Sequence, residues 1–238
     1  MNETSNDKND STPALIPIDP GEARIIGCLI EKQATTPDAY PMTLNAVVVA
    51  CNQKTSRDPI MELEQGAVGH SLRLLEGRGL VGASMGARST RYEHKFDRHY
   101  EATPRQRALL AMLMLRGPQT VNELYTRCER LADFPDADEV RVQLERMAQR
   151  AEPLVICVGR GSGQREDRHM HLLCGPDYAS ERGEQMTESG RVSSRSDHSG
   201  DSKGSFDLVD RVEALEREVE SLRQMVEELA AELSQQRG

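Results

Sequence analysis

One short pattern occurs twice in this chain. Asp19-Pro20-Gly21-Glu22 is followed 84 residues later by Thr103-Pro104-Arg105-Gln106. Each places a side-chain oxygen at a helix N-cap, proline at the first helical position, and Glu or Gln at the third, where it can reach back to the cap. The predicted helices keep the same offset: Ile25, Ile26, Leu29 and Ile30 correspond to Leu109, Leu110, Leu113 and Met114. Thr43-Leu44-Asn45 and Thr120-Val121-Asn122 then each offer a Thr cap for a second helix. A third helix carries Val68, Leu72 and Leu75 in one unit and Val140, Leu144 and Met147 in the other, spaced for a single buried face. Each runs into an apolar pair, Leu80-Val81 or Leu154-Val155, that reads as a strand. A polar tip rich in Gly and Arg follows (Met85–Arg91, Gly159–Arg168), and a return strand closes the unit (Arg91–Phe96, Arg168–Leu173).

Three helices and a two-stranded hairpin with a basic tip is the winged helix-turn-helix plan. The expected fold is therefore mainly α with small β wings (α+β): tandem winged helix-turn-helix domains followed by a C-terminal coiled-coil helix. The boundaries read as a disordered tail over 1–17, a first winged helix over 18–100 and a second over 101–178. A flexible linker follows over 179–205 and a coiled coil over 206–236. The competing description, two unrelated α+β domains, does not account for capping devices that recur in the same order.

Glu31-Lys32-Gln33-Ala34-Thr35-Thr36-Pro37-Asp38-Ala39-Tyr40-Pro41, continuing through Ala50-Cys51-Asn52-Gln53-Lys54-Thr55-Ser56-Arg57-Asp58-Pro59, resembles the YceH-like family of bacterial proteins. The likeness extends through Leu115-Arg116-Gly117-Pro118-Gln119-Thr120 and Gly163-Gln164-Arg165-Glu166, so it spans about residues 18–174. It implies a duplicated winged-helix fold. It brings no activity and no binding residues to carry over.

The formal charge of −9 sits mostly in the tails. Residues 1–20 sum to −3 and residues 179–238 to −6, whereas residues 21–178 hold 21 bases and 21 acids. A neutral pair of heads is compatible with nucleic acid, which the total alone would argue against. No run approaches the roughly 18 apolar residues of a membrane span, and no basic-then-apolar leader is expected. The five cysteines (28, 51, 128, 157, 174) include no C-x-x-C pair and read as reduced thiols of a cytoplasmic protein.

Beyond the linker, Leu208, Val212, Leu215, Val219, Leu222, Val226, Leu229 and Leu233 alternate in steps of four and three. Valine at three of four a positions with leucine at every d position favours a parallel homodimer. Arg211 would face Glu216 of a second copy, and Glu218 would face Arg223. The other reading is an amphipathic helix folded back on its own domain, which needs neither so narrow a seam nor matched flanking charges.

If the first unit binds double-stranded DNA, its third helix enters the major groove. With Val68, Leu72 and Leu75 inward, Gly66, His70, Arg73 and Gly77 face out. Arg73 suits a guanine edge, and His70 a base or phosphate. Lys54, Thr55, Ser56 and Arg57 combine charge with hydroxyl donors, as backbone contacts require. Arg88 and Arg91 on the first wing, and Arg160, Arg165 and Arg168 on the second, add cations. Arg57-Asp58 and Glu166-Asp167-Arg168 could also be local ion pairs. In the second unit the outward positions are Asp138, Val142, Glu145 and Gln149, and two acids there would repel phosphate.

His169-x-His171 with Cys157 and Cys174 invites a zinc reading. The first unit has His94 alone at the place of His171, so half-buried sheet histidines are the expectation and no metal is assigned. Cys28 and Cys51 read as small core residues. There is no phosphate-cradling G-x-x-x-x-G-K-[ST] and no H-E-x-x-H, so neither enzyme nor cofactor is expected. Two roles remain: a dimeric DNA-binding regulator, or a platform for another protein.

Overall fold

The computed structural model describes residues 17–86, 89–160 and 166–195. The first repeat runs α1 (Pro20–Thr35), β1 (Met42–Thr43), α2 (Leu44–Cys51), α3 (Gln65–Gly77), β2 (Val81–Met85) and β3 (Thr90–His94). Helix α4 (Phe96–Tyr100) leads into the second: α5 (Pro104–Arg116), β4 (Gln119–Thr120), α6 (Val121–Cys128), α7 (Ala137–Ala148), β5 (Val155–Gly159) and β6 (Arg168–His171). Helix α8 (Pro176–Arg195) follows. The fold is thus helices with two small antiparallel sheets, the same elements occurring twice in the same order.

The capping devices form as the sequence predicts. Asp19 Oδ1 accepts from Glu22 N at 2.8 Å, and Asp19 N donates back to Glu22 Oε2 at 3.0 Å. Thr103 and Gln106 make the same reciprocal pair at 3.3 and 3.2 Å. Thr43 caps α2, and Thr120 with Glu123 closes a third capping box on α6. Such a cap contributes about 1 kcal/mol, and it sets where each helix starts.

Each sheet has a third strand that the periodicity does not announce, in the orders β1-β3-β2 and β4-β6-β5. Strands β1 and β4 are two residues long, too short for an alternation to register. The registers correspond: Val81 pairs with His94 in one sheet and Val155 with His171 in the other. Both histidines are buried, as are Cys28 and Cys51.

The two repeats share one continuous core. Helices α1 and α5 bury residues around most of their circumference, from Ala23 to Ile30 and from Ala108 to Leu115, as expected of helices enclosed on every side. They meet at Gly27, where an added Cβ would lie 3.0 Å from Leu115 Cγ. Only a missing side chain permits that approach. Ile18 N also donates to Leu173 O at 2.9 Å, joining the start of the first repeat to the end of the second.

The flexible linker expected from residue 179 is corrected in its first part, where α8 continues to Arg195. Ala179 is fully buried, the Tyr178 ring lies 6.0 Å from that of His171, and Arg182 Nη2 donates to Asp58 Oδ1 at 2.7 Å. A few anchors suffice to hold a polar helix that composition alone reads as a tether. The tail over 1–16, the rest of the linker and the coiled coil over 206–236 lie outside the described residues.

Candidate nucleic-acid interface

Helix α3 presents the face its spacing predicts. Val68, Leu72 and Leu75 are buried, while Gly66, His70, Arg73 and Gly77 are exposed. The glycines leave room along that face for close approach. The Arg73 guanidinium lies back along the helix, its Nη1 3.9 Å from where a Cβ on Gly69 would stand. On β3, Arg91 is exposed and donates from Nη1 to Pro41 O at 2.8 Å, which holds its stem toward β1. Arg88 lies outside the described residues.

The cluster Lys54, Thr55, Ser56 and Arg57 is divided by the fold. Lys54, Thr55 and Ser56 are exposed. Ser56 takes a left-handed backbone, φ 62°, and this turn sends Arg57 inward. Arg57 is thereby removed from any surface interface: its side chain is wholly buried and pairs with Glu31 Oε2 at 2.6 Å. It also donates to Ala50 O at 3.2 Å, Gln53 Oε1 at 2.8 Å and Cys28 Sγ at 3.6 Å. Burial works against the Arg57 charge, but Glu31 and the Cys28 sulfur outweigh it and raise its pKa. A local Arg57–Asp58 pair does not form, because Asp58 is taken by Arg182 and Arg57 by Glu31. The signal available in sequence was Glu31 itself, which stands one turn beyond Cys28 on the same helix.

A second buried arginine went unread in the sequence. Arg24 of α1 is fully buried and donates to Cys51 O at 3.2 Å and Pro59 O at 2.6 Å. Burial lowers its pKa. With Asp58 N donating to Leu115 O at 2.9 Å, these bonds fix the connection between α2 and α3 against both repeats.

The second repeat carries a different face. Asp138, Val142, Glu145 and Gln149 are all exposed on or just past α7, and Arg141 pairs with Asp138. The cations Arg160 and Arg168 of its β5–β6 hairpin are also engaged. Arg160 pairs with Asp167 at 2.7 Å and Arg168 with Glu123 at 2.7 Å; Arg165 lies outside the described residues. Hydrogen bonding from Thr120 and the pairing with Arg168 overcome burial to hold the Glu123 carboxyl below its ordinary pKa.

Cys157 is exposed and sits across from the half-buried His169 in the β5–β6 ladder. His171 is fully buried, and desolvation drives its pKa down to about 3. Burial and the Arg107 charge lower that of His94 to about 4. Among the described residues no three His, Cys, Asp or Glu side chains converge on a point where a metal ion could sit, nor is any helix long and apolar enough to cross a membrane.

Residues 18–164 match a family model described as a protein of unknown function, DUF480. A UPF0502 protein of Pseudomonas syringae pv. syringae (strain B728a) is 54% identical over 179 residues, covering 75% of this chain and 79% of that one. Another, from Stenotrophomonas maltophilia (strain K279a), is 45% identical over 227 residues, covering 95% and 97%. The YceH-like resemblance is consistent with both. The chain thus belongs to the DUF480 family, together with these UPF0502 proteins.

Proposed function

We propose that this chain is a non-enzymatic, cytoplasmic tandem winged-helix protein that binds duplex DNA through α3 and the β2–β3 wing of its first repeat. The observation that carries the reading is the exposed row Gly66, His70, Arg73 and Gly77, backed by a fully buried apolar row on the same helix. A helix so mounted offers a rigid edge of the size a major groove accepts, with Arg73 as its cation. Lys54 and Arg91 would supply backbone contacts, joined by Arg88, which lies outside the described residues. Residues 206–236 would join two copies as a parallel coiled coil, raising affinity through effective concentration.

The test is duplex binding by the full chain across a salt series. Affinity for mixed-sequence DNA should fall steeply as salt rises, and Arg73→Ala or Lys54→Ala should flatten the slope by about one unit wherever a phosphate contact is lost. A full chain that binds no duplex at low salt ends the proposal. Leu222→Pro should halve the mass in solution; an unchanged mass removes the coiled coil from the account.

A second reading concerns the second repeat. Val142 on α7 and Ile156 on β5 are exposed large apolar residues at 37% and 39%, and the acids Asp138 and Glu145 flank Val142. An exposed apolar side chain set between acids suits a protein partner better than phosphate. In that case the repeats and coiled coil together form an interaction platform.

A further inference from the structure

A cleft of about 390 Å³ opens where the ends of α1, α5 and α6 meet the connection between α2 and α3. Its cations come from both repeats: Lys32, Arg116, Arg127 and Arg130. Lys32, Arg116 and Arg127 each occupy the last turn of a helix, where the macrodipole favours a positive charge. Convergence of three helix ends therefore gathers like charges into one space. The Thr55 and Ser56 hydroxyls line the same cleft.

Carboxylates do not balance this cluster one for one. Glu31 serves both Arg57 at 2.6 Å and Lys32 at 3.5 Å. Glu123 serves both Arg168 at 2.7 Å and Arg127 at 3.8 Å. Glu129 is the remaining acid on the cleft wall. Arg116 has no ion-pair partner among the described residues, and its Nε is buried without a hydrogen bond. Burial first, then the nearby charges of Arg127 and Arg57, lower the Arg116 pKa, and the Glu31 carboxylate opposes them only in part. An unpaired guanidinium held among cations and hydroxyl donors is the arrangement a doubly charged oxyanion relieves.

We propose that this cleft binds the phosphoryl group of a small phosphate monoester. Arg116 makes the central contact, Lys32 and Arg130 flank it, and Thr55 and Ser56 donate from the opposite wall. The volume is near the lower end for organic-ligand pockets, roughly 300–1,000 Å³, so a sugar-sized ester fits. The site shares none of the α3 face and does not depend on DNA binding.

Titration calorimetry of the full chain with inorganic phosphate and with ribose 5-phosphate, at ionic strength matched with chloride, tests it. Saturable binding of both is expected, tighter for the ester, with a rise in Tm. Arg116→Gln should weaken binding at least tenfold. Arg130 is exposed, so Arg130→Gln keeps the fold and should weaken binding severalfold even if the Arg116 variant is unstable. Arg73→Ala should leave it unchanged. No heat above the chloride control, or undiminished binding in both cleft variants, overturns the proposal. So does a cleft that ignores both phosphates while Arg116→Gln and Arg130→Gln weaken only duplex DNA, since the phosphate recognised would then belong to a nucleic-acid backbone.

Discussion

Arg57 and Glu31 meet at 2.6 Å across a connection of which only the carboxylate retains appreciable exposure, 14% against 0% for the arginine side chain. The pair ties the turn after α2 to the last turns of α1. It also decides which cations of the Lys54–Arg57 stretch face solvent. A residue chosen on composition as a phosphate contact is, in the fold, an internal strut.

Removing one partner of this pair leaves the other charged and largely buried. Arg57→Ala and Glu31→Gln should each destabilise the chain by about 3–5 kcal/mol, read as a lower denaturant midpoint. Arg57→Met removes the guanidinium while filling much of the volume, and should recover part of the loss. If Arg57→Ala unfolds at the wild-type midpoint, the strut is not structural.

At the centre of the shared core, Gly27 admits Leu115 to 3.0 Å of the position a Cβ would take. Gly27→Val should cost about 1–3 kcal/mol through overpacking. The cost should shrink in a Leu115→Ala background, where the space is vacant. A double-mutant cycle measures this coupling, and strict additivity would show that the helices do not meet there.

His94 and His171 occupy corresponding register positions and are both held neutral by burial, with pKa values near 4 and 3 against an ordinary 6.5. The unfolded chain therefore takes up protons first. Their contribution is fully present above pH 6.5 and is lost as pH falls from there toward about 3–4. By pH 5 the loss is roughly 2 kcal/mol for each. Unfolding free energies measured from pH 7 to 5 should fall with this slope. His94→Gln with His171→Gln should flatten it whatever their absolute stability.

Arg182 holds α8 to Asp58 at 2.7 Å and stands against Gly117, where an added Cβ would come within 2.9 Å of its Nη2. Gly117 is also left-handed, φ 67°, so the position disfavours a side chain on both counts. Arg182→Ala should leave the global midpoint within about 1 kcal/mol, as for a partly exposed pair. Amide exchange over residues 176–186 should nevertheless speed up. Unchanged exchange would mean that Ala179 and Tyr178 alone dock the helix.

Much of this architecture is local, and local chemistry is legible in a sequence. The caps at Asp19, Thr43, Thr103 and Thr120 use side chains and backbone three residues apart. The inward row of α3 follows from helical spacing alone. That is why the exposed positions Gly66, His70 and Arg73, and the acidic face of α7, are legible in the sequence. Two-residue strands escape because they are too short to carry a period, and they exist only through pairing with β3 and β6.

What the sequence could not determine rests on contacts between distant segments. Arg57 turned out to be internal because Glu31, 26 residues earlier, reaches it, and Arg24 because carbonyls of the next connection surround it. Helix α8 reads as a polar tether until Asp58, 124 residues away, accepts its arginine. The cationic cleft exists only because three helix ends from two repeats converge. Periodicity records which face of an element is buried. It does not record what that face is buried against, and the fate of a charged side chain depends on its partner.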